Sequence, residues 1–447
     1  MTWKVIAAIG AYRYHSAMLK PAFVAALFAL LITMPSLAVA QLPRLRVEGS
    51  RILDASGKQV TLRGVNLGNW LLIEPGVFNE SVGKFDDQDT LFQVLRDRFG
   101  EAERRRLIDV YRDHFITARD FDNVAAFKFN IVRVGLDYEL FESDDAPMKL
   151  REDAFKYLDL TVAEARKRGI YVLFDLHGAQ GFVVDGKQSG RYGPAEFWDN
   201  AEYQKRSLWV WSEIAKRYKG DPTVMGYEAL NEPWGKTRAA LRDYCERWYR
   251  TIREVDADAI TVFPGWTGDI DFYGNPHENG WTNAMFDMHF YPGLFQRTPP
   301  TLQKNIDFFN RGLPGWKRKM ESINAPLLVG EINVVHKDAG GGQMMRRYYD
   351  YFAERGWAVT YWTLKELWPQ GGLRENMWML TTNAQPFPKV DIHTSSKEEI
   401  EAAFRSLSTM PLVTDPDLLH WLTTDQKPAP LPTTAPATGA ATWLQKH

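Results

Sequence analysis

Two glutamates stand where short apolar runs end: Glu232 within Leu230-Asn231-Glu232-Pro233, and Glu331 directly after Pro326-Leu327-Leu328-Val329-Gly330. Held about 5 to 5.5 Å apart, two such carboxyls can transfer a sugar with retention: one attacks the anomeric carbon while the other protonates the leaving oxygen. That division of labour needs their pKa values to be split by their surroundings. Taken singly, Glu331 could equally be a salt-bridged strand terminus.

Other polar or aromatic residues fall at the ends of further apolar runs. Arg63 and Asn66 close one, Arg133 lies in the next, and His177 follows Leu173-Phe174-Asp175-Leu176. His289 and Tyr291 end another, and Trp362 ends the last. Each has a plainer reading, with Arg133 pairing structurally with Asp175 or a barrel glutamate, the histidines satisfied in a core, and Trp362 packing. Their concentration at one end of the runs favours a site. Asn231 is placed to meet a sugar 2-hydroxyl, where contacts strengthen in an oxocarbenium-like transition state. Arg133 and Tyr291 could hold Glu331 ionised by hydrogen bonding. His177 and His289 could bind ring hydroxyls, and Trp362 could floor the subsite where the bond breaks. Trp70, Trp198, Trp234, Trp266, Trp281, Trp368 and Trp378 lie in or near the connecting loops, and two or three of them are expected to stack on sugar rings.

Positioning these groups on one rim requires a scaffold. Eight apolar runs read as strands: Thr61–Asn66, Asn130–Val134, Ile170–Leu176, Val224–Leu230, Ala259–Phe263, Met285–Phe290, Pro326–Glu331 and Ala358–Thr363. Their nearly continuous hydrophobicity suits strands covered on both faces. Amphipathic stretches between them, Ala154–Arg168, Glu202–Tyr218, Thr237–Asp256, Leu302–Ser322 and Gly342–Arg355, read as helices. Alternating strands and helices predict an α/β fold, a (β/α)8 TIM barrel forming a single catalytic domain over 41–425, with its site at the C-terminal ends of the strands. Ahead of it, Leu45–Leu53 and Gln59–Leu62 flank Asp54-Ala55-Ser56-Gly57-Lys58 and predict a β-hairpin at the barrel bottom.

The flanks carry other signals. Met18-Leu19-Lys20-Pro21, the apolar run 22–34 and Ala38-Val39-Ala40 make a signal-peptide pattern over 1–40, possible also with a start at Met18. A secreted or periplasmic protein follows, with no membrane contact once the signal is cleaved. Residues 426–447, rich in Pro, Ala and Thr, are expected to be a disordered tail. Fifty-four basic against fifty-six acidic residues leave a formal charge of −2, so no field draws in nucleic acid. Cys245 is the only cysteine, which excludes an internal disulfide, and its helical setting reads as buried packing. A monomer is expected.

The set Arg133 in Asn130-Ile131-Val132-Arg133-Val134, Asp175-Leu176-His177-Gly178, Leu230-Asn231-Glu232-Pro233, His289-Phe290-Tyr291, Val329-Gly330-Glu331 and Tyr361-Trp362 resembles glycoside hydrolase family 5, the cellulase-like retaining β-glycosidases. The resemblance runs from about Arg46 to Trp378. Arg63-Gly64-Val65-Asn66-Leu67-Gly68-Asn69-Trp70-Leu71 with Glu74-Pro75 is similar to the exo-β-1,3-glucanase branch, whereas 180–186 and Lys365-Glu366 depart from it. The resemblance implies Glu232 as acid/base, Glu331 as nucleophile, no cofactor, and a β-linked oligo- or polysaccharide as partner. A β-1,4-glucanase, a mannanase, a transglycosylase or a non-catalytic sugar-binding barrel stay open. A metal-dependent hydrolase using His177, His289 and Asp175 is disfavoured, because no His-x-His or His-Glu-x-x-His spacing occurs and no metal is expected.

Overall fold

A computed structural model of the chain describes residues 42–294, 300–334, 340–374 and 378–431. The segment read as a signal peptide lies outside the described residues, as does the expected tail from 432 onward. Within the tail's expected start, Ala429 accepts a hydrogen bond from Arg347 and Leu431 packs on the core.

Eight parallel strands close into the expected barrel: β3 (Arg63–Asn66), β4 (Ile131–Asp137), β5 (Tyr171–Gly178), β6 (Val224–Glu228), β7 (Ile260–Pro264), β8 (Ala284–Phe290), β9 (Leu327–Ile332) and β10 (Ala358–Tyr361). β10 pairs with β3 to close the ring. Period-two alternation sorts the strand residues. Val132, Val134, Phe174, Leu176, Phe286 and Val329 face outward into a core shared with the helices, while Ile131, Leu173, Met285 and Leu328 pack inside the barrel.

That inner cluster also contains Leu45 and Ile52 from a hairpin ahead of the barrel, so the hairpin plugs the floor as expected. Its geometry differs from the sequence reading. β1 (Arg46–Glu48) and β2 (Arg51–Leu53) pair through the two-residue turn Gly49-Ser50, and Gly49 adopts φ +58, a conformation open to glycine at little cost. The run taken as one strand folds back on itself, and the expected second strand contributes only a bridge between Leu53 and Gln59.

The helix expected over Leu302–Ser322 runs without interruption from Leu302 to Ile323, with one widened turn at Phe308–Gly312 between Leu302–Asp307 and Leu313–Ile323. Pro314 has no N–H for the helical ladder, and the widened turn immediately before it accommodates that gap. The other four helices form within a few residues of expectation, as Lys156–Lys167, Ala201–Tyr218, Arg238–Val255 and Gly341–Glu354. Asn200 and Thr237 cap two of them with side-chain oxygens. Cys245 is buried in Arg238–Val255. A small antiparallel pair, β11 (Thr381–Asn383) with β12 (Leu412–Thr414), was not foreseen from sequence.

Candidate active site

Above the apolar floor the inward positions become charged. On β4, inward Arg133 follows inward Ile131, and on β5 the same alternation brings Asp175 and then His177 inside. On β8 it brings Asp287 and His289, and on β6 it brings Glu228. Two glycines make room for this layer. A Cβ on Gly135 would fall 2.6 Å from His177 Nδ1, and one on Gly330 would fall 2.4 Å from Asp287 Oδ1. Gly330 instead donates its N–H to that oxygen at 2.7 Å, and a register shift at this point sets Glu331 opposite His289.

Arg133 is the hub. Its guanidinium donates to Glu228 at 2.7 and 2.8 Å, to Asn66 Oδ1 at 3.1 Å, to Asn231 Oδ1 at 3.0 Å and to Glu331 Oε1 at 3.1 Å. Asp175 lies 3.1 Å away as a further counter-ion and also touches His177 Nδ1. Burial works against a charged arginine here, but the surrounding carboxylates outweigh it and hold Arg133 firmly protonated. Because Asn231 turns its oxygen to Arg133, its amide NH2 is directed away from the guanidinium, and Asn66 is anchored by donating to Gly330 O at 2.8 Å.

Glu331, next to last in β9, is 5% exposed. Tyr291 donates to its Oε2 at 2.6 Å, and His177 Nε2 stands 3.7 Å from Oε1. Glu232 lies four residues past the end of β6, with φ +42, an uncommon conformation for a side chain-bearing residue and one found at functional sites. The adjoining Asn231 N–H is fixed to Leu176 O at 3.2 Å. His289 sits between the two glutamates, with Nδ1 2.8 Å from Glu232 and 3.5 Å from Glu331, and Nε2 3.0 Å from Asp287. One carboxylate oxygen of Glu232 and one of Glu331 lie within 4.8 Å of each other.

Burial disfavours charge on His289, yet Glu331 and Asp287 together raise its pKa well above the usual histidine value, so it carries a proton at neutral pH. Glu331 is held by Arg133 and Tyr291 as expected in position, while its pKa stands above the usual glutamate value. Burial raises its pKa, Glu232 adds to the rise, and the cations His289 and Arg133 offset these only in part.

All the expected site residues, Arg133, His177, Asn231, Glu232, His289, Tyr291, Glu331 and Trp362, converge on this rim. Trp362 lies flat against His177, with ring centres 5.7 Å apart and planes within 12°. Arg63 does not join them: it opens β3 at the opposite end and donates to Lys128 O at 3.3 Å. Three members of the expected tryptophan set are structural. Trp70 is fully buried and donates to Arg112 O, and Trp281 stacks on Phe263 at 4.4 Å below β8. Trp198 is buried as well. Trp234, Trp266, Trp368 and Trp378 keep part of their surface, and Trp378 packs against Tyr291 at 5.4 Å.

Sequence reading missed Glu228 and Asp287. The signal for both was a carboxylate inside an apolar run: Asp287 is spaced by two from His289, as Asp175 is from His177, and so faces the same way. The departures at Gln180 and Lys365 are buried supports. Gln180 donates to Glu142 at 2.6 Å, and Lys365 pairs with Asp120 at 2.7 Å.

A family model described as cellulase, glycosyl hydrolase family 5, matches residues 100–367. A β-xylosidase of Phanerodontia chrysosporium is 31% identical over 250 residues, covering 55% of this chain and 52% of that protein. A probable glucan 1,3-beta-glucosidase A of Aspergillus clavatus is 29% identical over 279 residues, covering 60% of this chain and 64% of its own length. The chain thus spans between half and two thirds of these relatives. Among solved structures, a rutinosidase from Aspergillus niger superposes with a TM-score of 0.54 at 18% identity, over 68% of this chain and 90% of that one. Endo-glycoceramidase II from Rhodococcus sp. gives 0.51 at 18%, over 70% and 75%. At such identities the likeness is one of fold. The family match takes in more than half of the sequence and the strand ends that carry both glutamates, and so the chain belongs to glycosyl hydrolase family 5.

Proposed function

We propose that the protein is an exported, retaining β-glycoside hydrolase that acts on β-glucan or related β-linked oligosaccharides by double displacement. The observation that carries this reading is the pair Glu232 and Glu331, with carboxylate oxygens within 4.8 Å, a spacing that leaves no room for a water between nucleophile and sugar. In the first step a Glu331 oxygen bonds to the anomeric carbon as Glu232 gives its proton to the departing oxygen. In the second, Glu232 takes a proton from water, the water oxygen bonds to the same carbon, and Glu331 leaves as carboxylate. Tyr291 and Arg133 hold the two Glu331 oxygens in place, and Asn231 offers its amide to the 2-hydroxyl.

Asn231 orients the sugar. The glycone sits against Trp362, whose ring lies along His177 on the same rim. The glucosidase names among the relatives support a glucan substrate; the xylosidase name makes a β-xyloside the first competitor to try.

The test is activity of residues 41–447 on laminarin, cellulose, mixed-linkage glucan, mannan oligosaccharides and aryl β-glucoside and β-xyloside, with the product anomer followed by NMR. Early release of β-anomer supports the proposal, whereas early α-anomer or no cleavage of any β-glycoside defeats it. Glu331→Ala should abolish turnover, and azide should restore it as the glycosyl azide of inverted configuration.

A further inference from the structure

Asp287 touches both halves of the catalytic pair without belonging to either. It is 3% exposed and stands on β8 two residues before His289, so both side chains point into the barrel. Its Oδ1 accepts the Gly330 N–H at 2.7 Å, and its Oδ2 stands 3.0 Å from His289 Nε2. Gly330 directly precedes Glu331, and the other ring nitrogen of His289 is 2.8 Å from Glu232. One carboxylate thus reaches the backbone behind one glutamate and the imidazole beside the other.

Each contact answers a local need. The pairing of β8 with β9 steps from Met288–Val329 to His289–Glu331, so Gly330 is an extra residue with no partner on β8. Side chains take up its backbone groups instead: Asp287 holds the N–H, and the carbonyl accepts from Asn66 at 2.8 Å and Thr360 at 2.5 Å. On the His289 side, charge decides. Asp175, the corresponding carboxylate on β5, has Arg133 at 3.1 Å as well as His177. Among the described residues, His289 is the one side-chain cation in ion-pair contact with Asp287. A buried carboxylate without a cation is costly, so Asp287 and a protonated His289 require each other. The other groups facing that imidazole are carboxyls: Glu232 from the segment after β6, Glu331 of β9 at 3.5 Å, and Glu228 of β6 within 4.8 Å. Arg133 on β4 lies near enough to act on the charge of Asp287.

We infer that Asp287 is a positioning residue for both glutamates: Oδ1 fixes the bulge that aims Glu331, and Oδ2 holds the imidazolium that stands between the two carboxyls. The catalytic roles of Glu331 and Glu232 rest on the proposed function; the double grip of Asp287 does not.

The experiment compares the parent protein with Asp287→Asn and Asp287→Ala. The first variant keeps an oxygen for the Gly330 N–H and loses the charge facing His289, whereas the second loses both. Nitrogen NMR of the histidine rings, with the His289 signals assigned by their loss in His289→Gln, reads the proton. His289 of the parent should carry both ring protons at pH 7, and in Asp287→Asn its titration should move down by at least about one pH unit. A neutral imidazole at pH 7 in the parent, or equal titration in parent and Asp287→Asn, would overturn the inference. The second readout is the rate at which a dinitrophenyl 2-deoxy-2-fluoroglucoside labels Glu331, a step that needs attack but no proton donor. Labelling should slow at least about tenfold in Asp287→Ala and return to within about threefold of the parent in Asp287→Asn, where the Gly330 bond survives. Equal labelling rates in the two variants would overturn the hold on Glu331. A parent that is not labelled and cleaves no β-glycoside strikes the proposed function alone, since the histidine titration still decides the role of Asp287.

Discussion

Arg133 and Glu228 meet inside the barrel through two parallel hydrogen bonds, 2.7 Å from Nε to Oε2 and 2.8 Å from Nη2 to Oε1, with both side chains out of contact with solvent. The fork fixes the plane of the guanidinium, and only in that plane can its remaining N–H groups reach Asn231 and Glu331. Glu228 therefore acts on the site through Arg133. Removing one partner of a buried pair leaves the other uncompensated, so Glu228→Ala should lower stability by roughly 3–5 kcal/mol in urea unfolding. Glu228→Gln should fold better than the alanine variant yet lower kcat, because it keeps the volume and one accepting oxygen but sets a donating NH2 against an Arg133 N–H and removes the charge.

Glu232→Ala should separate substrates by leaving group. Turnover of alkyl or glycosyl leaving groups should fall by about 10²–10⁴-fold, the usual worth of general acid catalysis, while a dinitrophenyl glycoside should keep a fast first step and accumulate the glycosyl-enzyme. Pre-steady-state burst measurements read this directly. An equal loss on all leaving groups would remove Glu232 from the acid role.

The pH profile follows from Glu331. Attack needs the carboxylate, and burial, reinforced by Glu232, raises its pKa above the usual glutamate value. The acid limb of kcat/KM should therefore stand at higher pH than an ordinary glutamate gives, with activity lost as pH falls through it. Tyr291→Phe removes a donor that favours the ionised form, so the limb should move up by roughly one pH unit. A downward shift would contradict the assignment of Tyr291 as the hydroxyl that steadies the charge.

Glu366 supplies a separate, thermodynamic signature. Burial raises its pKa to about 8, Lys187 opposing and Glu74 adding to the rise. A carboxyl whose folded pKa lies above its unfolded value stabilises the fold below the unfolded pKa, and that contribution is lost as pH rises through the folded one. The melting temperature should decline between pH 5 and 9, and Glu366→Gln, which cannot ionise, should overtake the parent above pH 8. Parallel melting curves across that range would show that Glu366 is already charged.

Much of this was legible in sequence because barrel strands must be apolar on both faces, so any charged residue within them, or just past them, stands out. Glu331, His289 and Arg133 announce themselves in this way. Glu228 was passed over since it belonged to the run itself, where a carboxylate is affordable only with a buried cation from another strand, a long-range fact that no local pattern carries. The turn at Gly49 was hidden for a related reason: Leu45–Leu53 reads acceptably as one strand, and only burial of Leu45 and Ile52 together in the barrel floor requires it to fold back. Which of the seven tryptophans pack locally, as Trp70 and Trp281 do, is not legible in sequence because an indole reads the same whether it meets a sugar or a helix.

The hairpin in the floor also decides how the molecule can be handled. Leu42 packs with that floor cluster and Tyr171 donates to Pro43 O at 2.9 Å, so the chain enters the domain at the face away from both glutamates. An affinity tag, a bead or a partner enzyme joined ahead of Leu42 would leave the catalytic face turned toward solution, an orientation suited to work on an insoluble polymer from a fixed support.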